Sequence, residues 1–366
     1  MKKLLLVFAL FAGTQTYAQL TTPPSGGNKK AVVGERIGIT DVTIHYDRPG
    51  VKGREGKIWG QLIAPGFNDL HFGNTTQAPW RAGANENTTI EFTTPVKIEG
   101  QDLPAGKYGF FVAYGTEECT LIFSKNNQSW GSYFYNPALD ALRVTVKPVA
   151  AEKSVEWLQY SFTAETPNSA VVTLAWEKLA IPFKIEVDLK ATQLASFRQE
   201  LQTDKGFVWE SWAQAAQWCA DNDTNLDQAL LWADSAVSEN FGGDRSFQSW
   251  STKAQVLDKL GRTAEAAEIM KRALPFGNAF EVHQYARQLL NDKKYKEAFD
   301  VFKLNYDKNP GIFVTSFGLA RAYSALGKYA DALKYAQLAQ PLATDPVNKN
   351  NVASAIENLK AGKPIN

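Results

Sequence analysis

The sequence predicts an α+β chain in two parts, an N-terminal antiparallel β-sandwich followed by a C-terminal all-α solenoid of helical hairpins. Three observations predict it. Apolar and polar residues alternate at period two through the first half. Turn residues punctuate those runs at short spacing, with no helical text between them. After Asp188 the alternation stops, and alanines and aromatics recur at three- and four-residue spacing.

The chain has 366 residues and is 44% hydrophobic, enough for two buried cores and too apolar for a disordered chain. Its formal net charge of +1 supplies no global attraction to nucleic acid or to a membrane surface. Aromatic residues reach 12%, which suits a sandwich core and also a carbohydrate- or peptide-binding surface. Cys119 and Cys219 fall in different parts of the chain and are expected as buried free thiols. A disulfide between them is left open, because it needs only Cα atoms within about 7 Å. No Cys-x-x-Cys spacing occurs and the histidines number three, so no metal site is expected.

Met1-Lys2-Lys3 is a short basic start, Leu4 to Ala12 is apolar, and Thr16-Tyr17-Ala18 offers a cleavage site ahead of Gln19. This is the layout of a secretory signal peptide over residues 1–18. The run is shorter than the roughly 20 residues of a permanent span. No cysteine follows that would carry a lipid, and no second such run appears. The mature protein is expected to be exported, periplasmic or secreted, without an integral membrane segment. Residues 19–30, with Pro23-Pro24 and Gly26-Gly27, read as a flexible leader.

Residues 31–188 read as the sandwich. In Val42-Thr43-Ile44-His45-Tyr46 the apolar side chains share one face, with Asp41, Thr43 and His45 on the other. Further strands are expected at Thr88–Phe92, Val96–Ile98, Lys107–Tyr114, Thr120–Phe123, Leu142–Val146, Val155–Phe162, Ala170–Trp176 and Phe183–Val187. Lys107 to Ala113 is apolar at nearly every position, as a central strand covered on both faces would be.

The stretch Trp80-Arg81-Ala82-Gly83-Ala84-Asn85-Glu86 sets an aromatic, a cation, an amide and a carboxylate among small residues that let backbones approach. On one reading Arg81 and Glu86 pair across a structured loop and Asn85 takes left-handed geometry. On the other, Arg48, Trp59, Trp80, Arg81, Asn85 and Glu86 form a polar site for a sugar or peptide. A paired-carboxylate hydrolase would need a second acid, for which Asp41 and Asp47 are candidates. His45 and Glu117-Glu118 read as solvent-facing.

The run Arg36 to Thr43, then Tyr46-Asp47-Arg48-Pro49, Lys57-Ile58-Trp59-Gly60, Trp80 to Glu86, Leu103 to Tyr108 and Trp130-Gly131, in this order, resembles an exported bacterial family. That family is labelled domain of unknown function 2911 and is common in Bacteroidetes. The resemblance spans about residues 30 to 188, and the segment Asn68 to Pro79, which carries His71, departs from it. It implies fold and export but no established activity.

Residues 189–204 have helical composition and read as a linker helix. Beyond them Ala254, Gly261, Ala266 and Ala273 match Ala320, Gly327, Ala332 and Ala339 position for position, with Ala286, Ala298 and Phe302 in the same phase. Trp212, Ala216, Ala229, Ala233 and Ala236 form a degenerate first copy. Ala229, Ala266, Ala298 and Ala332 are 37, 32 and 34 residues apart. This pattern resembles the tetratricopeptide repeat family, whose period is about 34. Three or four repeats are expected over residues 205–345, with a capping tail over 346–366. The resemblance implies a concave face that binds peptides or partner proteins.

No phosphate-binding loop, dinucleotide fingerprint, Gly-x-Ser-x-Gly or His-Glu-x-x-His occurs, and no basic block suggests nucleic acid. No cofactor is expected and no catalytic residue is assigned. The reading is a non-enzymatic envelope protein that meets a protein or peptide through its helical repeats. The alternative is a sandwich that binds or cleaves a carbohydrate or peptide around Trp80 to Glu86.

Overall fold

The computed structural model describes residues 27–365. The signal-peptide assignment on Met1–Ala18 and most of the leader lie outside the described residues. The chain divides into two compact units, the first ending at Gln193 and the second beginning at Leu194.

Among the described residues ten strands build the first unit: β1 (Lys29–Ile37), β2 (Thr40–Arg48), β3 (Thr88–Phe92), β4 (Val96–Ile98), β5 (Gln101–Leu103), β6 (Gly106–Ala113), β7 (Cys119–Ser124), β8 (Asp140–Val146), β9 (Val149–Thr166) and β10 (Ser169–Glu186). One sheet runs β1-β2-β3-β6-β7-β8 and the other β5-β4-β10-β9, with every pairing antiparallel. The sheets pack face to face as a sandwich. Phe110 of β6 and Phe123 of β7 meet Phe183 of β10 at ring separations of 5.5 and 6.2 Å. Val42, Ile44 and Tyr46 point into this core, and His45 faces solvent. β6 is central and covered on both faces, because Phe111 packs outward against Ile122 and Tyr135. Each such buried side chain contributes roughly 1.5–3 kcal/mol of hydrophobic stabilisation.

Three departures from the sequence reading have local causes. Lys29 and Lys30, read as leader, open β1, where Gly34 and the pair Glu35-Arg36 interrupt the apolar alternation of an edge strand. Ala170–Trp176 and Phe183–Val187, expected as two strands, belong to one run in β10, apart from Val187. Register shifts around Glu177, whose φ is +53°, break the period-two pattern there without ending the strand. The three-residue β5 falls between the expected strands Val96–Ile98 and Lys107–Tyr114 and is not among them.

The helices are α1 (Leu189–Glu200), α2 (Trp209–Asp221), α3 (Leu226–Ala236), α4 (Phe247–Lys259), α5 (Thr263–Ala273), α6 (Ala279–Asn291), α7 (Tyr295–Lys308), α8 (Phe313–Ala325), α9 (Tyr329–Ala339) and α10 (Pro346–Lys360). They pair as hairpins α2–α3, α4–α5, α6–α7 and α8–α9, and α10 packs on α9. The matched alanines are buried at the helix crossings, where a larger side chain would hold the backbones apart. Between hairpins, Phe299 meets Tyr323 at 4.9 Å and Tyr306 meets Tyr335 at 5.2 Å.

The hairpin turns share one backbone geometry. The second residue beyond the first helix of each pair is left-handed: Asp223, Gly261, Lys293 and Gly327, with φ of 45, 76, 61 and 71°. Sequence matching finds only the two glycines, but the turn recurs in all four hairpins. Capping follows the same logic at helix starts. Asn278 and Glu281 form a reciprocal capping box on α6, and Asp345 caps α10.

Both cysteines are free and buried, Cys119 in the β unit and Cys219 in the helical unit. Burial raises both thiols above their ordinary pKa, Cys219 to about 11. No described helix is long and apolar enough to cross a membrane. No cluster of His, Cys, Asp or Glu among the described residues could hold a metal ion.

Candidate functional site

The stretch from Trp80 to Glu86 is a loop pinned from below. Trp80 exchanges two backbone hydrogen bonds with Val112 of β6, at 2.9 and 2.8 Å. The next turn puts Ala82 in left-handed geometry at φ +53° and buries it completely. Its carbonyl accepts from the Thr88 hydroxyl at 3.0 Å and the Tyr160 hydroxyl at 2.7 Å. Gly83 has no room for a side chain, since a Cβ would lie 2.7 Å from Thr88 Oγ1 and 3.1 Å from the Asp47 carbonyl. Removing both donors in a Thr88→Val, Tyr160→Phe variant strands a buried carbonyl. The expected result is a loss of about 1–3 kcal/mol of β-unit stability, read by chemical unfolding.

Most of the sequence-selected side chains serve this scaffold. Arg48 donates to the backbone carbonyls of Leu158 and Trp157, at 2.8 and 3.5 Å. Trp59 Nε1 donates to the Trp176 carbonyl and Trp80 Nε1 to the Gly83 carbonyl. The two rings meet edge-on at 5.5 Å, and Trp80 stacks with Trp176 at 6.2 Å. Arg81 does not pair with Glu86. Its Nη1 donates to the Asn85 carbonyl at 2.7 Å, closing the loop on itself, and its guanidinium lies over the Tyr133 ring at 5.3 Å. Asn85 is left-handed, with φ +57°, as the loop reading expects.

Glu86 pairs instead with Lys30 of β1, at 2.7 Å on an exposed surface. β1 was missed in the sequence, so this partner was missed too. Beneath the pair lies Asp47, only 4% exposed, with Oδ1 lacking a hydrogen-bond partner. Period-two alternation puts Asp47 on the polar face with His45, but the Ala82–Gly83 turn folds over that end of β2 and covers it. Burial first and the neighbouring Glu86 second, against the opposing charge of Lys30, together raise its carboxyl from 3.8 to about 6. Glu86 is held below its ordinary value, mainly by Lys30.

Of the two acids considered beside Glu86, Asp47 lies close enough for each carboxyl to shift the titration of the other. Asp41, the other acid considered, forms a two-point ion pair with Arg36 at 2.7 and 3.0 Å. It lies six residues back along β2, about 20 Å from Asp47.

Beside Arg81 the surface carries exposed rings that are not among the site residues expected from the sequence. Phe72 is 65% exposed and Trp130 57%. Phe72 meets Tyr133 at 5.2 Å and Phe134 at 6.5 Å, tying the segment Asn68 to Pro79 to the loop after Trp130. The run Trp130-Gly131-Ser132-Tyr133-Phe134-Tyr135 was the available signal.

In the helical unit α4 packs on α2 and α3, and α8 packs on α6 and α7. The hairpins α4–α5 and α6–α7 meet through Phe247 and Tyr285, and beside that contact lies a cleft of about 1300 Å³. Met270, Phe280, Tyr285 and Leu304 give it apolar walls, and Gln284 and Gln288 give it amide groups.

No match is found among curated proteins. YrrB, described as a TPR protein with an unusual peptide-binding site, is 17% identical over 45% of this chain and 86% of its own, with a TM-score of 0.30. MamA from Desulfovibrio magneticus RS-1 is 16% identical over 43% of this chain and 95% of its own, with a TM-score of 0.29. Pseudomonas aeruginosa PilF is 20% identical over 43% of this chain and 70% of its own, with a TM-score of 0.32. Residues 28–185 match the family described as protein of unknown function (DUF2911).

Proposed function

We propose that this chain is an exported, non-enzymatic interaction module of the bacterial envelope whose helical hairpins hold a protein or peptide partner. The cleft between α4–α5 and α6–α7 carries this reading. Its volume of about 1300 Å³ exceeds the roughly 300–1,000 Å³ of a small-molecule site and suits a peptide segment. Its apolar walls can take side chains, and Gln284 and Gln288 can satisfy the backbone groups of a strand or helix laid between them. Phe280 and Leu304 are 61% and 44% exposed, so both can change without disturbing the core. The full mature chain is the bait in a pull-down from envelope extract, beside a Phe280→Glu, Leu304→Glu variant. A partner held by the wild type and lost by the variant supports the reading; equal capture by both overturns it.

The exposed rings Phe72, Trp130 and Phe134 beside Arg81 favour a second reading, a glycan- or peptide-binding surface on the β unit. Glycan-array binding that disappears in Phe72→Ala and Trp130→Ala would move the assignment there.

A further inference from the structure

We infer that the cleft beside α4–α5 and α6–α7 takes a basic peptide segment and seats a lysine or arginine side chain at its hairpin-turn edge. This rests on the reading of that cleft as a peptide site and adds the charge the peptide carries. Four carboxylates line the cleft with no ion pair or side-chain hydrogen bond among the described residues: Asp258 of α4, Asp292 at the end of α6, and Glu297 and Asp300 of α7. A fifth acid, Glu281, is used in the capping box of α6. Most cations of the lining are engaged elsewhere. Lys259 is held by Asp223 at 2.7 Å and Lys271 by Glu268 at 2.6 Å, so only Lys294 of the lining lacks an ion pair among the described residues.

The acids converge. The half-buried Tyr285 hydroxyl is raised above its ordinary pKa by burial first, then by the charges of Asp258, Glu297 and Asp292. Carboxylates from three elements therefore surround one phenol on the cleft wall. Two of them sit where their own helices do not favour them. Asp258 is the next-to-last residue of α4, and Asp292 is the C-terminal cap of α6. A helix C-terminus already carries about half a negative charge, so an anion there is unfavourable and a cation favourable. An ammonium or guanidinium supplies that cation and donates to the free carboxylates. Met270 and Leu304, on the apolar walls, can cover the methylene stem of such a side chain while its head stays among the acids. An acidic peptide would meet like charges at the same edge.

The test uses the full mature chain and three fluorescently labelled, end-blocked hexapeptides that alternate leucine with lysine, glutamine or glutamate, so that apolar content is equal. The lysine peptide is expected to bind about tenfold tighter than the glutamine peptide at low salt and to lose that margin in roughly 1 M salt. Asp258→Asn and Asp292→Asn should each weaken the lysine peptide about threefold, and the double variant about tenfold, with the glutamine peptide unchanged. Glu357→Gln, on the exposed side of α10, should change neither. Both asparagine variants should melt no lower than the wild type, because each removes an anion from a helix C-terminus; this separates lost binding from lost fold. Equal affinity for the lysine and glutamine peptides, undetectable binding of the lysine peptide, or an equal loss in Glu357→Gln overturns the inference. If all three peptides bind alike and all are lost in the Phe280→Glu, Leu304→Glu variant, the charge preference fails and the peptide-site reading stands. If none binds and that variant still captures the envelope partner, both fail.

Discussion

Phe302→Ala is expected to destabilise the helical unit by about 3–5 kcal/mol. Phe302 on α7 is fully buried, its ring 5.3 Å from His283 of α6. Gly318 of α8 closes against both, since a Cβ there would lie 2.7 Å from the Phe302 ring and 2.8 Å from His283 Nδ1. One side chain therefore fills the junction of three helices. Truncation leaves a void that glycine cannot fill. Urea unfolding followed by helical circular dichroism reads the effect, since the α-helices among the described residues lie almost wholly in the second unit. A loss under about 1 kcal/mol would mean that α8 collapses onto the void and that the junction is softer than its packing implies.

Asp47→Asn is expected to stabilise the β unit by about 2–3 kcal/mol near pH 8 and to change little below pH 4. The fold prefers the protonated carboxyl, since its pKa rises from 3.8 to about 6. Its stabilising contribution is full below the unfolded value and is lost as pH rises through 6. Glu86 runs the opposite way: held below its ordinary value by Lys30, it contributes above that value and loses the contribution as pH falls. Each carboxyl shifts the other, so the wild-type profile carries both slopes. Asparagine removes the alkaline loss and keeps a polar partner for Glu86. Melts of the β unit across this range, followed by near-ultraviolet circular dichroism, decide it. A variant curve parallel to the wild type throughout sinks the assignment.

The strands and helices were legible where one period dominates a run. β2 and β6 have clean alternation, and the matched alanines mark the hairpins. What the sequence hid depends on contacts between distant residues. Lys30 becomes the partner of Glu86 only because β1, with its weak pattern, docks on β2. Asp47 becomes buried only because a loop more than thirty residues later turns over it. Arg81 and Glu86 are five residues apart, close enough to suggest a pair, yet a nearer backbone carbonyl takes the guanidinium. Likewise Asp223 and Lys293 do not look like turn glycines, and only the backbone shows that they occupy the same left-handed position.

A repeat array passes cooperativity along its length through the contacts of neighbouring hairpins. At the cleft, the hairpins α4–α5 and α6–α7 meet through large side chains, Phe247 of α4 against the α6–α7 core and Tyr285 of α6 against the α4–α5 core, with open space beside them. That joint couples a block ending at α5 to a block beginning at α6. A ligand seated there would enlarge the interface. Its binding free energy would then appear partly as coupling between the two blocks, so occupancy would be felt by helices that never touch it.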